Sequence, residues 1–179
     1  ARIGTSSLRR TVQILHHFPT LNVVPLRGNV DTRLRKLKTK HYDGIVLAAA
    51  GLNRLGLSDL ITEYLGPEVM LSAIGQGALA VVCRASDSET IQSLLPLNHE
   101  PTQRAILAER SLLRTLEGSC QVPIGGHARI EKELILLTGM ICSLDGKRLI
   151  KDDMSGKLSD PNEIGRSLGI NLLNSGGKA

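Results

Sequence analysis

Aromatic residues are almost absent from this sequence, which has one Phe, two Tyr and no Trp among 179 residues. Proteins that bind single-stranded nucleic acids stack the bases on aromatic side chains. No helix-turn-helix or zinc-finger pattern is present either. These absences disfavour a nucleic-acid partner, although the formal charge of +5 indicates that the partner is anionic. A small polycarboxylate or phosphate ligand fits the composition as well as a nucleic acid does.

Cysteine and histidine are sparse and scattered. Cys83, Cys120 and Cys142 form no C-x-x-C pair and leave an odd thiol in any disulfide scheme, which favours a reducing compartment. The five histidines lack the spacing of zinc ligands, so we expect no metal. Cys83 and Cys142 lie in apolar runs and are predicted to be buried in strands.

Long hydrophobic runs are also missing. No segment approaches the roughly 18 to 20 apolar residues that span a bilayer, and residues 1–10 lack the basic-then-apolar order of a signal peptide. We therefore expect a cytoplasmic protein without a membrane partner. A plastid location stays open, since a transit peptide would lie upstream. The sequence begins with Ala1 rather than Met, and we expect it to be a fragment.

The first 75 residues alternate strand-length apolar runs with helical segments. Residues 21–26 and 44–50 are predicted strands, and the unbroken hydrophobicity of the second is typical of a parallel strand covered on both faces. A helix is predicted before each strand; the candidate N-caps are Ser6 or Ser7 for the first helix and Asp31 or Thr32 for the second. This alternation predicts a βαβ lobe with a mostly parallel sheet.

A different order begins near residue 69. Residues 69–84 contain two β-like runs separated by Gly75-Gln76-Gly77, and a short helix is predicted from Asp87 until Pro96 ends it. A linker follows. The remainder, residues 100–179, predicts a small α+β domain made of a helix, antiparallel strands and a last helix.

Three local signals define that second domain. The predicted helix 101–118 is amphipathic, a turn joins two strands in a hairpin, and a capping box begins the last helix. The apolar stripe of the helix consists of Ala105, Ala108, Leu112 and Leu116. The hairpin turn is Asp145-Gly146, and the capping box is formed by Asp160 with Glu163.

Five arginines lie at strand ends or helix starts of the predicted lobe: Arg9, Arg10, Arg27, Arg33 and Arg54. The carboxyl ends of parallel strands and the N-termini of their helices open on one crevice, so we expect an anion site there. Guanidinium groups bind carboxylates in pairs, and the hydroxyls of Thr5, Ser6 and Ser7 would add neutral donors. The alternative is that these arginines form a solvated surface.

Cys120 stands in the run LEGSCQVPIGG, which follows the predicted helix 101–118. A free cysteine is often a small buried filler. A thiol in a loop of small residues can instead be a nucleophile or an attachment point. No activating histidine and acid stand close to it in the sequence, and both interpretations stay open here.

Five segments have the order and spacing of one family: GTSSLRR, LRGNVDTRL, AAGLNRLG, AIGQGALAV and LEGSCQVPIG. The chain resembles the hydroxymethylbilane synthase (porphobilinogen deaminase) family along nearly all of its length, and the cysteine motif is highly specific to that family. The resemblance implies a transferase that joins four porphobilinogen molecules head to tail, with loss of ammonia, to give hydroxymethylbilane for haem biosynthesis.

The resemblance also implies roles for individual residues. A dipyrromethane cofactor would be held by a thioether to Cys120, and the partners would be porphobilinogen and the growing pyrrole chain. The cofactor would further contact Thr5, Ser6, Ser7, Arg9, Arg10, Arg27 and Arg33. The substrate would contact Arg27, Arg33, Arg54, Gln76 and Gly77.

The family has three domains, the first two of which are similar to the lobes of periplasmic binding proteins. By resemblance, residues 1–75 would be the second lobe, residues 76–99 a crossing segment of the first lobe, and residues 100–179 the cofactor-carrying domain. The catalytic aspartate would lie upstream, so no catalytic residue is expected here and the chain alone would be inactive. The complete enzyme would be a monomer; alternatively, a separate chain would supply the first lobe.

Two other classes of protein remain as alternatives. A noncatalytic anion-binding module would explain the arginines and the lobe but not Cys120. A basic nucleic-acid binder would explain only the charge, and its binding would ignore sequence and collapse with added salt.

Overall fold

A computed structural model describes residues 1–116 and 123–177 of the chain. Two three-stranded sheets organise these residues, one near each end of the chain. The elements are, in order, β1 Arg2–Gly4, α1 Leu8–His17, β2 Asn22–Val24, α2 Val30–Lys38, β3 Gly44–Ile45, α3 Ala49–Arg54, α4 Ser88–Leu94, α5 Glu100–Thr115, β4 Ile124–Glu131, β5 Leu134–Cys142, β6 Leu149–Lys157 and α6 Pro161–Leu172. Short 3₁₀ turns cover Ser58–Leu60 and Leu95–Leu97, and a π turn covers Leu173–Gly177.

The N-terminal sheet is parallel, with strand order β2-β1-β3. Ile3 of β1 lies opposite Val23 of β2 and Gly44 of β3. Helix α1 begins after Ser7, whose hydroxyl accepts a hydrogen bond from the Arg10 amide. The parallel sheet and the Ser7 cap predicted from the sequence are therefore confirmed.

Two predictions in this region are wrong in detail. The predicted strand 44–50 is a strand only at Gly44–Ile45, and helix α3 already begins at Ala49. A short apolar run has the same pattern in a strand and in a buried helix, and alanine is the best helix former. The N-cap of α2 is Asn29, whose side chain accepts from the Thr32 amide at 2.9 Å, rather than Asp31 or Thr32.

The two β-like runs predicted within residues 69–84 are also wrong. No strand lies between residues 46 and 116, all of which the structure describes. Leu79 and Val82 are 81% and 90% exposed, and Cys83 is exposed rather than buried in a strand. Ladder hydrogen bonds require a neighbouring strand, and the described residues provide none for this run. The short helix after Asp87 is confirmed as α4.

The C-terminal sheet is antiparallel, with order β4-β5-β6, and helices α5 and α6 cover one of its faces. The four residues that predicted the amphipathic helix are all buried in this core: Ala105, Ala108, Leu112 and Leu116. The hairpin turn is confirmed between β5 and β6, where Gly146 has φ +74°. Cys142 is buried at the end of β5, as predicted.

The predicted capping box of the last helix does not form. Helix α6 does follow Asp160, but this side chain makes no capping hydrogen bond and accepts from the Ser159 hydroxyl at 2.7 Å instead. Glu163 pairs with Arg166 in the next turn, at 2.7 and 2.9 Å. The basic partner three residues on therefore takes the carboxylate that a capping box would use.

Helix α1 rests on the face of the C-terminal sheet that α5 and α6 leave open. Val12 of α1 is fully buried with Leu71, Met140 and Cys142. Met140 and Cys142 point away from α5 because side chains alternate along a strand. Helix α1 and the C-terminal sheet thus share a small second core, which places the first turns of α1 beside Leu71. No helix in the described ranges is both long and apolar enough to cross a membrane.

Candidate functional site

The turn between β1 and α1 is held by its own hydroxyl groups. Thr5 is 5% exposed, and its hydroxyl accepts from the Ser7 amide at 3.2 Å. The Ser6 hydroxyl donates to the Leu26 carbonyl and accepts from the Leu26 amide, both at 3.0 Å. These three hydroxyls, which the sequence suggested as ligand donors, therefore also fix the turn that begins α1.

Three of the predicted arginines bond to backbone carbonyls around this turn. Arg9 Nη1 donates to the Leu71 carbonyl. Arg10 Nη1 donates to the Val46 carbonyl at 2.9 Å, and Arg33 Nε donates to the Gly28 carbonyl at 2.7 Å. Each bond uses one of the five N–H groups of a guanidinium and leaves the others available.

The charges of these three arginines act on one another. Burial, followed by the neighbouring charge of Arg10, lowers the pKa of Arg9 to about 10. Burial also lowers the pKa of Arg10, with the charge of Arg33 as the next cause. A partly buried row of like charges is unfavourable by itself and is stabilised by an anion.

The structure does not bring all five arginines together in this way. Arg27 and Arg54 are exposed, and neither lines the cleft beside Arg9 and Arg10. Within residues 1–116 and 123–177, none of the five forms an ion pair with a carboxylate. Other arginines do form ion pairs: Arg2 pairs with Asp43 beside the parallel sheet, and Arg104 and Arg166 pair with glutamates in the C-terminal part of the chain.

Arg9 and Arg10 line a cleft of about 730 Å³. Gln76 and Gly77 also line it, so four of the predicted site residues share one cavity. Ser72 and His127 also line it, as do the carboxylates of Asp43 and Glu63, and most of the remaining lining is apolar. A volume of this size is typical of ligand-binding clefts in proteins.

The segment 71–75 is tied to α1, β4 and α5 where it borders the cleft. Gln13 of α1 bonds to both backbone groups of Leu71. Ser72 accepts from the Gly126 amide at 3.0 Å and donates from its hydroxyl to the Gly126 carbonyl at 3.1 Å. Glu109, 2% exposed, accepts from the Gly75 amide at 2.7 Å and from the Ala128 amide at 2.8 Å.

Sequence reasoning missed Gln13, Glu109 and His127. Glu109 lies four residues after Ala105, on the apolar stripe of α5, and a charged residue on such a stripe is a signal of a buried partner. Gln13 lies four residues after Arg9, on the same side of α1. His127 has no such signal, and its Nδ1 lies 4.0 Å from Glu109 Oε1 only because strand β4 meets α5.

Cys120, the predicted attachment point, lies outside the residues that the structure describes. The other two thiols are both free: Cys83 is exposed and Cys142 is buried. Burial raises the pKa of the Cys142 thiol, with the Asp145 charge as the next cause, so this thiol is a weak nucleophile.

Taken together, these features equip the cleft to bind a carboxylate-bearing ligand. Arg9 and Arg10 bond to carbonyl oxygens, which leave their charge uncompensated, although the carboxylates of Asp43 and Glu63 also line the cleft. Guanidinium forks match carboxylates in geometry and strengthen as water is excluded. Within the described ranges, no group of three His, Cys, Asp or Glu residues has the arrangement of a metal site.

Two family models match the chain. Residues 1–92 match the model described as "Porphobilinogen deaminase, dipyromethane cofactor binding domain". Residues 103–174 match "Porphobilinogen deaminase, C-terminal domain". The first match covers the parallel sheet and every described residue of the predicted site.

Curated relatives agree with these matches. A porphobilinogen deaminase of Trichlorobacter lovleyi is 50% identical over 179 residues, which are 100% of this chain and 57% of the relative. One from Synechococcus elongatus is 51% identical over 176 residues, 98% of this chain and 55% of the relative. The chain thus spans a little over half the length of these relatives. It belongs to the porphobilinogen deaminase family.

Proposed function

We propose that this chain forms part of a hydroxymethylbilane synthase. That transferase joins four porphobilinogen molecules head to tail, releases ammonia at each step and yields hydroxymethylbilane for haem biosynthesis. The observation that carries the proposal is the row of Arg9, Arg10 and Arg33, whose charges have no carboxylate partner among the described residues. Each pyrrole unit adds two carboxylates, so the growing chain requires fixed positive charge.

The residues present fit a dipyrromethane cofactor. The cleft offers free guanidinium N–H groups beside an apolar wall, as a ligand with both carboxylates and rings requires. The cofactor would supply the terminal pyrrole ring from which the chain is extended. We propose that Cys120 holds it through a thioether, as the resemblance of its sequence motif LEGSC to the family implies.

The remaining predicted residues have separate proposed roles. Arg9, Arg10, Arg27 and Arg33 would hold cofactor carboxylates, and the hydroxyls of Thr5, Ser6 and Ser7 would contact the cofactor as well as fix the turn. Arg27, Arg33 and Arg54 would bind carboxylates of incoming or extended units, and Arg27 and Arg54 are exposed. Gln76 and Gly77 would contact the substrate at the lining of the cleft. Flexible exposed side chains suit a ligand that lengthens in steps, since they can change partners.

We also propose a division of the chain. Residues 1–75 would be a lobe of the periplasmic-binding-protein type, residues 76–99 a segment of a first lobe, and residues 100–179 the domain that carries the cofactor. The exposed apolar side chains of Leu79, Val81 and Val82 support the second assignment, because they suit a strand that pairs elsewhere. The free thiols Cys83 and Cys142 support a reducing, cytoplasmic compartment.

The intact mass of the natively purified protein tests this function. We expect a dipyrromethane-sized adduct that maps to the peptide containing Cys120 and is absent from Cys120→Ser. The matched control is Cys83→Ser, which removes an exposed thiol of the same chain and should keep the adduct. An unmodified native protein, or an adduct that survives Cys120→Ser, would contradict the assignment and favour a noncatalytic anion-binding module.

A further inference from the structure

Gln13 is a buried polar residue in the second turn of α1. Its side chain is part of a residue only 2% exposed to solvent. Oε1 accepts from the Leu71 amide at 2.7 Å, and Nε2 donates to the Leu71 carbonyl at 3.2 Å. Nε2 also lies 3.1 Å from the Arg9 carbonyl. The carboxamide therefore pairs with both backbone groups of Leu71, as a neighbouring strand would.

The Leu71 carbonyl has a second donor, the Nη1 group of Arg9. Leu71 itself is 1% exposed and packs against Val12 and Met140. Its peptide group is thus held by the core on one side and by Gln13 on the other. The acceptor that anchors Arg9 cannot move unless one of these contacts breaks.

Anchoring one N–H of Arg9 also sets the direction of the others. A guanidinium is planar, and its donors form a rigid fork. Once Nη1 is bonded to Leu71, the plane and the remaining N–H groups take a limited range of orientations. Arg9 lines the cleft, so that range decides where a carboxylate of the ligand is received.

We propose that Gln13 is a positioning residue for Arg9: by fixing the Leu71 peptide, it aims the free N–H groups of Arg9 into the cleft. The inference rests on the proposed role of Arg9 as a ligand of cofactor carboxylates. Gln13 itself does not line the cleft. Its effect on the ligand therefore passes through Arg9.

A merely structural role for Gln13 would predict something different. Gln13→Met keeps the approximate volume but leaves the amide and carbonyl of Leu71 without this partner, which lowers stability in either case. If Gln13 acts by orienting Arg9, replacing Gln13 slows ligand capture while Arg9 is present. The same replacement has little effect once Arg9 has been replaced. The coupling between the two positions separates the two roles.

The test compares the parent protein with Gln13→Met, Arg9→Lys and the double variant, each as the full natural chain. Each protein is prepared without cofactor and mixed with porphobilinogen, and intact mass follows the adduct at temperatures well below unfolding. We expect Gln13→Met to slow adduct formation about tenfold, in the range shown by residues in contact. In the Arg9→Lys background the same change should slow it less than twofold.

A matched control removes a buried hydrogen bond far from the cleft. The Ser111 hydroxyl donates to the Asn162 carbonyl at 2.6 Å between α5 and α6. Ser111→Ala should lower Tm without changing the rate of adduct formation. If Gln13→Met folds poorly, Gln13→Glu replaces it in the comparison. It keeps the bond from the Leu71 amide but attracts the Arg9 guanidinium away from the cleft, so adduct formation should again be slow.

Two results would overturn the inference, and they are distinguishable. If Gln13→Met slows adduct formation equally in both backgrounds, Gln13 acts independently of Arg9, and the proposed function stands. If Arg9→Lys and Arg9→Leu both form the adduct at the parental rate, neither the fork nor the charge of Arg9 is required to hold a cofactor carboxylate. The positioning role and the proposed role of Arg9 then fail together.

Discussion

The two arginines that line the cleft, and Arg33, are oriented by carbonyl groups rather than by carboxylates. Arg9, Arg10 and Arg33 each donate to a backbone oxygen. A carbonyl dipole fixes the direction of a guanidinium but leaves its full charge for another partner. A carboxylate in the same place would compete with the ligand, because it would neutralise the guanidinium charge that the ligand carboxylate requires.

The partly buried charge of Arg9 lowers the free energy of unfolding by an amount that depends on pH. Burial, followed by the charge of Arg10, lowers the folded-state pKa of Arg9 from its higher ordinary value to about 10. The unfolded chain therefore binds more protons than the folded chain between these two pH values. Stability rises with pH wherever that holds. The charged form of Arg9 thus disfavours folding at neutral pH, and the cost is relieved as pH rises through 10.

Replacing Arg9 by an uncharged residue should remove that pH dependence. We expect the free energy of unfolding of the parent, relative to Arg9→Gln, to rise between pH 9 and pH 11 in the absence of ligand. Urea denaturation at several pH values measures it. Arg35→Gln, which removes an exposed charge of α2, is the control and should give a constant difference. A constant difference for Arg9→Gln as well would contradict the burial of its charge.

At the level of single residues, the sequence predicted the ligand chemistry better than the geometry. Placing Arg9 and Arg10 at the start of α1 followed from the Ser7 cap, which is a local signal. The acceptors of these arginines, Leu71 and Val46, lie 62 and 36 residues along the chain from them. Helical periodicity and capping signals extend over only a few residues, so they carry no information about such partners.

At the level of elements, the hairpin between β5 and β6 is a contact with helix α1 as well as a turn. The Gly146 carbonyl lies 3.2 Å from His16 Nδ1, near the end of α1. Asp145 accepts from the Ser143 hydroxyl at 2.6 Å and from the Lys147 amide at 3.0 Å, which shapes the turn. Bonding to Ser143, followed by bonding to Lys147, lowers the pKa of Asp145.

Gly146→Ala should therefore destabilise the protein through two effects. The residue has φ +74°, which costs an L-amino acid about 1 to 2 kcal/mol. A Cβ atom would also lie 2.9 Å from the Val12 carbonyl and 3.1 Å from Leu15 Cβ, so α1 would have to shift. We expect Tm to fall by roughly 5 °C, since each kcal/mol corresponds to about 2 to 4 °C at this size.

Gly56→Ala is the matched control for this steric effect. Gly56 has φ +69°, but a Cβ atom there would meet nothing within 4 Å. It should lower Tm by only about half as much, because it adds conformational strain alone. Thermal unfolding of both variants makes the comparison. Equal decreases in Tm for the two variants would mean that a Cβ atom at position 146 does not displace α1.

The predictions for elements failed where a segment depends on distant partners. The hairpin and the helices α4 and α5 follow from local turn, cap and periodicity signals, and the structure contains them. The run 78–83 has the composition of a strand but no strand beside it among the described residues. The Asp160 capping box lost its carboxylate to Arg166, a choice that the spacing alone could not decide.

At the level of the whole molecule, positive charge and exposed apolar surface are both concentrated. Residues 27–40 contain six Lys and Arg and one Asp, which equals the net charge of the whole chain. Such a concentration attracts anions towards the neighbouring cleft over about 10 Å at moderate salt.

The exposed apolar surface includes Leu79, Val81 and Val82, which are 81%, 66% and 90% exposed. An exposed run of this kind is prone to pair with another strand.

A charge within that apolar run should act differently in two forms of the protein. If residues 78–83 pair with a first lobe, Val82→Asp buries a carboxylate in the complete protein and lowers its Tm by several degrees. In the 179-residue chain alone, Val82 is 90% exposed, so Tm should stay unchanged while self-association in the ultracentrifuge decreases.

Leu144→Asp is the control for this comparison, because Leu144 is 66% exposed in the hairpin turn and has no proposed partner. It should leave Tm unchanged in both forms. Should Val82→Asp leave the Tm of the complete protein unchanged too, residues 76–99 would not belong to a first lobe. The assignment would also be contradicted if the 179-residue chain were a compact monomer and sedimented in the same way as its Val82→Asp variant. Such a result would mean that the chain exposes no unpaired strand that drives self-association.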